Sequence, residues 1–171
     1  MSKRNLKSES GGTHKTTNKL QVVLYKGTHC DATNMNKIRD LIEKRWKTNI
    51  IIKCWTKNKN LLGQQGKGSA AFQYGDVKDW NYDNKSYSIA IGHSAGSFPL
   101  LMTKASYHIA INPAYPAANF PIFHANKDWL IPTHKLHGDS QIIHYMGKHS
   151  DMPLEQLKAY LYSIIPRRYE K

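Results

Sequence analysis

Ser88-Ile89-Ala90-Ile91-Gly92-His93-Ser94-Ala95-Gly96-Ser97 is an apolar, strand-like run that ends in G-x-S-x-G and passes into a short helical pattern. A serine between two glycines can occupy a sharp strand-to-helix turn, because neighbours without bulk let the backbone fold back and lift Oγ clear of a sheet. Tyr87, Ile89 and Ile91 supply the strand side, and Phe98, Leu100, Leu101 and Met102 the helix side. The pattern nominates Ser94 as a nucleophile. Ala95 would open the helix, aiming its N–H and the positive dipole end at an oxyanion formed beside Ser94. The same five residues also fit a purely structural turn, so partners for the serine decide between the two.

A serine hydroxyl is a poor nucleophile until a histidine takes its proton and a carboxylate fixes that histidine's tautomer. Phe120 to Ala125 reads as a buried strand, followed by a loop that carries Asp128 and closes at Pro132. Gln141 to Met146 reads as a further strand and runs into a loop carrying His149, ahead of an amphipathic helix from Leu154 to Ile165. Asp139 is a rival for the acid. Only about ten residues separate it from His149, room for one strand but not for the crossover that normally joins parallel strands. Asp151 is expected to cap the final helix, with Pro153 at an early helical position.

Ser94, Asp128 and His149 thus occur in the chain order nucleophile, acid, histidine, each after a strand candidate. In this the chain resembles the α/β-hydrolase superfamily over about residues 19 to 165. The resemblance implies a Ser-His-Asp triad, an acyl-enzyme intermediate and no cofactor. It also implies a second oxyanion donor after the first strand, where Val22-Val23-Leu24-Tyr25 runs into Lys26-Gly27-Thr28-His29-Cys30-Asp31. The Thr28 N–H is the candidate, against an ordinary turn capped by Asp31. Lys26 stands where the family often has a histidine. Pro99 departs from the pattern too, inside the first turns of the elbow helix, which it is expected to bend or shorten.

Most of the 9 histidines call for structural roles. His93 is expected to line the elbow, and His108, His124 and His144 to sit within strands. His134, His137, Asp139 and His144 have a loosely metal-like spacing but lack a compact pair on one helix with a general base, so no metal site is assigned.

The 171 residues and 19.6 kDa suit one domain, small for this superfamily. The expected fold is α/β: strands near 20–26, 49–55, 86–92, 106–112, 119–125 and 140–146, and helices near 33–47, 95–104 and 154–165. This alternation predicts a mostly parallel sheet of about six strands with helices on both faces. Residues 112–120 read as a short loop without a cap, leaving an open, shallow site. Residues 1–18 read as a disordered basic arm and 19–171 as the single domain, with 56–85 a polar insertion or a flap over Ser94.

The formal net charge is +13 and the isoelectric point about 9.7, so the surface should attract polyanions. No nucleic-acid-binding motif accompanies the charge, which leaves an anionic lipid surface or an acidic substrate as the better-suited partner. Without an apolar signal segment or membrane span, the expectation is an intracellular, cytoplasmic protein with Cys30 and Cys54 as free thiols. The function that fits is a serine hydrolase of the esterase, lipase or thioesterase type acting on a small acyl ester. The alternative is a hydrolase-shaped protein with weak or no catalysis that binds a polyanion or anionic surface.

Overall fold

The computed structural model describes residues 18–27, 32–58, 77–82, 84–114, 120–130 and 141–171. Its elements follow in the order β1 (Leu20–Lys26), α1 (Thr33–Arg45), β2 (Thr48–Cys54), β3 (Ser86–His93), α2 (Ser97–Leu100), β4 (Lys104–Ile111), β5 (Ile122–Ala125), β6 (Ile142–Tyr145) and α3 (Leu154–Ile164). The six strands form one sheet in the order β2-β1-β3-β4-β5-β6, and every neighbouring pair is parallel. The expected α/β class and strand count hold. Observed strands lie within a few residues of the expected ones, with β5 and β6 shorter.

Parallel sheets bury both faces, which explains why the central strands are apolar without alternation. β1 and β3 lie mid-sheet and are almost wholly buried, whereas β2 at one edge alternates half-exposed and exposed positions over its first residues. One face is covered by α1 and α3. Met35, Ile38 and Ile42 of α1 and Leu157 and Leu161 of α3 recur at helical spacing and pack on Val22, Leu24, Ile89, Ile91 and their neighbours. The other face carries α2, whose Leu100 packs with Val23, Tyr25, Tyr87 and Ala90. Opposite faces are what a constant crossover hand requires, because the path from β1 to β2 and the path from β3 to β4 run in opposite directions across the sheet.

That reversal makes the space beyond the carboxyl ends of β1 and β3 the topological switch point, where open α/β sheets bind ligands. A Cβ placed on Gly27 would lie 3.1 Å from the Ser94 Cβ, so the ends of β1 and β3 meet there.

Several expectations change. The elbow helix, expected over 95–104, is a tight turn over Ser94–Gly96 followed by a single turn of α-helix, consistent with Pro99 in its interior. Asp151 does not cap α3: Pro153 is the N-cap residue and no side chain bonds there. Cys54 is disulfide-bonded, which overturns its reading as a free thiol and removes the thiol-based ground for a reducing compartment. Cys30, the arm to residue 17, and positions 59–76, 83, 115–119 and 131–140 lie outside the described residues, as therefore does the flap reading. The described ends of the 56–85 insertion are pinned together. Lys57 N–H donates to the Asp79 carbonyl at 2.7 Å and Asn81 N–H to that of Trp55 at 3.0 Å, while Trp55 and Trp80 pack on Phe98 of α2. No helix among the described residues is long and apolar enough to cross a membrane.

Candidate active site

Ser94 follows β3 with φ of 52°, a left-handed conformation that costs a non-glycine residue on the order of 1–3 kcal/mol and persists only where surroundings over-determine it. They do so here. The Ser94 carbonyl accepts the Ala114 N–H at 3.1 Å and the Ser97 N–H, tying the elbow to the segment after β4 and to its own helix. Both flanking glycines are required by close approach. A Cβ on Gly92 would overlap the Gly96 carbonyl, and one on Gly96 would overlap the Tyr25 carbonyl of the neighbouring strand.

The structure brings Ser94, His149 and Asp128 into one hydrogen-bonded series. His149 Nε2 lies 2.9 Å from Ser94 Oγ, and His149 Nδ1 lies 2.7 Å from Asp128 Oδ2. The Asp128 side chain is fully buried and Ser94 is buried, while the His149 side chain between them is 16% exposed, so both ends of the series are shielded. Asp128 Oδ1 also accepts the Leu130 N–H at 3.0 Å. With the carboxylate accepting from Nδ1–H, Nε2 is left as the acceptor for the serine proton. Asp139 lies outside the described residues; Asp128 is the acid that meets His149.

The loop bearing His149 is held by residues that sequence reasoning did not select. Asn112, fully buried at the end of β4 with φ of 41°, receives the Ala125 N–H on Oδ1 at 2.8 Å. Its Nδ2 donates to the Tyr145 hydroxyl at 2.7 Å and to the His149 carbonyl at 2.8 Å. The amide orientation follows from these partners, since only an oxygen can meet an N–H and only the NH₂ can meet a carbonyl. His93 Nε2 reaches the same His149 carbonyl at 2.9 Å. A carbonyl accepts only, so His93 holds its proton on Nε2, and burial lowers its pKa to about 4. Tyr145 donates to the Asp151 carbonyl at 2.6 Å, and burial raises its pKa. Asp151 closes the His149 loop from below, its Oδ2 accepting the Lys148 N–H at 2.8 Å.

A signal for Asn112 was present in the sequence: Asn-Pro after an apolar run marks a turn at the carboxyl end of a strand, the end where sites form. Ala95 is fully buried and follows Ser94 in the tight turn Ser94–Gly96. Thr28 lies outside the described residues. His108 Nε2 donates to the Thr103 carbonyl at 2.8 Å and its ring stacks on Phe120, while the rings of His124 and His144, on neighbouring strands, meet edge to face. No group of three or more metal-ligating side chains forms among the described residues.

No protein-family model matches the chain, and no curated protein matches it. Among solved structures it is similar to the esterase domain of a Rhodothermus marinus protein, with a TM-score of 0.53 and 10% sequence identity over 91% of this chain and 89% of that one. At that identity the likeness concerns the fold.

Proposed function

We propose that the chain is a serine hydrolase that cleaves carboxylic esters or thioesters. The single observation that carries this reading is the Ser94–His149–Asp128 series at 2.9 and 2.7 Å, mounted on a strained elbow at the switch point of a parallel sheet. Ser94 Oγ attacks the acyl carbon while His149 Nε2 takes its proton. The tetrahedral oxyanion is met by the Ala95 N–H, with Thr28 proposed as the second donor. As the acyl–oxygen or acyl–sulfur bond breaks, His149 returns the proton to the leaving group, and the acyl chain stays on Ser94. Water, deprotonated by His149, then releases the acid and restores Oγ–H. Asp128 holds the imidazole tautomer throughout and stabilises its protonated form.

Ser94→Ala tests this, because only a buried hydroxyl is removed. Turnover of p-nitrophenyl acetate should vanish while circular dichroism and thermal unfolding stay as in the unaltered protein. Undiminished turnover would refute the proposal, and tight polyanion binding without any esterase activity would favour the non-catalytic alternative.

A further inference from the structure

Among the described residues, the loops that carry Asp128 and His149 also hold the most accessible large apolar side chains. Trp129 is 78% exposed, Met146 73% and Leu130 50%, whereas Trp46, Trp55 and Trp80 are buried. The two loops are laced together. Asn126 N–H donates to the Tyr145 carbonyl and Lys127 N–H to the Gly147 carbonyl, each at 2.9 Å, and Asn126 Nδ2 reaches Met146 Sδ at 2.8 Å. Trp129, Leu130 and Met146 therefore project from one end of the sheet, at its β5–β6 edge and on the same end as Ser94. Exposed Lys127 and Lys148 lie on the same loops.

Indole and its apolar neighbours suit the boundary between headgroups and acyl chains, and lysines beside them complement anionic headgroups. Three such side chains offer an area on the order of a few hundred Å², well short of the ~800 Å² per side of a stable protein interface. Insertion of loop tips into a lipid surface needs no such breadth. We infer that this edge docks on anionic lipid, with Trp129, Leu130 and Met146 entering the interface and Lys127 and Lys148 against the headgroups. Docking stands beside the proposed hydrolysis and does not depend on it.

The test uses the full chain and vesicles of phosphatidylcholine with or without phosphatidylglycerol. Because Trp129 is the one tryptophan exposed to solvent, its insertion reads out directly as fluorescence quenching by lipids brominated on the acyl chain. Quenching is expected with phosphatidylglycerol present and should disappear in Trp129→Phe only to the extent that the indole signal is lost, while vesicle sedimentation of that variant persists. Trp129→Ser should weaken sedimentation about tenfold or more. Lys127→Glu and Lys148→Glu should each weaken it about fivefold or more, with the effect reduced at high salt. Ser94→Ala should bind as the unaltered protein does, so loss of the hydrolase reading would leave this result intact. Absence of quenching, or sedimentation indifferent to Trp129→Ser, would overturn the inference. So would a Trp129-dependent association with nucleic acid or protein and none with lipid.

Discussion

Asn112→Asp isolates the role of one buried amide with almost no change of shape. Aspartate keeps an oxygen for the Ala125 N–H and tolerates the left-handed backbone at 41°, so neither packing nor strain is altered. What changes is the atom 2.8 Å from the His149 carbonyl and 2.7 Å from the Tyr145 hydroxyl, where an NH₂ donor becomes an oxygen. The His149 carbonyl keeps its His93 donor, so losing the amide donor costs about 0.5–1.5 kcal/mol, and ionising a carboxylate there adds to it. Burial and the facing carbonyl both favour the protonated acid, whose O–H can replace the lost donor, so the introduced carboxyl should titrate above its unfolded value. A raised folded-state pKa gives stability that is complete below the unfolded pKa and lost as pH rises through the folded one. Near pH 7 the variant should therefore be about 2–4 kcal/mol less stable than the unaltered protein, with the gap narrowing toward about pH 4. Urea unfolding across this range measures it. In parallel kcat for a soluble ester should fall, by about 10²-fold if the imidazole shifts by about 1 Å, with KM little changed. A variant as stable as the parent at neutral pH, with the same pH dependence, would refute the positioning role of Asn112.

His93, whose pKa burial lowers from 6.5 to about 4, should bind a proton on unfolding as pH falls through that window. Its contribution to stability is present above about pH 6.5 and is lost on acidification toward pH 4, a total of about 3 kcal/mol. His93→Gln keeps a donor for the His149 carbonyl but does not titrate, so urea unfolding should show that part of the slope removed. Asp128→Asn should lower kcat by about 10⁴-fold with the fold intact, as loss of tautomer control does in such triads. A crippling Asp139→Asn beside a harmless Asp128→Asn would reverse the assignment of the acid. Gly96→Ala should destabilise by about 3 kcal/mol or more in urea melts, because its Cβ meets the Tyr25 backbone and neither the elbow turn nor β1 can yield freely.

The strands, both long helices and the elbow were legible because each is a local pattern. Continuous apolar runs mark buried parallel strands, and Met35, Ile38 and Ile42 or Leu157 and Leu161 mark one helix face. The triad candidates were legible because topology constrains them: every loop after a parallel strand opens on the same end of the sheet, so Ser94, Asp128 and His149 had to share it. What escaped was non-local. Asn112 looks like a loop residue until β5 and β6 bring Ala125, Tyr145 and His149 around it. His93 looks like a lining residue until its ring meets the backbone of a loop far along the chain. Asp151 beside Pro153 suggests a cap by spacing alone, yet its carboxylate finds the Lys148 N–H first. The bonding of Cys54 depends on chain geometry that two cysteines in a sequence do not reveal.

Covalent capture of the nucleophile tests the central claim most directly. Treatment with a fluorophosphonate, followed by intact-mass analysis and peptide mapping, should give one adduct per chain on Ser94. Labelling should be lost in Ser94→Ala and strongly slowed in His149→Ala, since the hydroxyl then lacks its base. An adduct on another residue, or labelling of Ser94→Ala at the parental rate, would contradict the account.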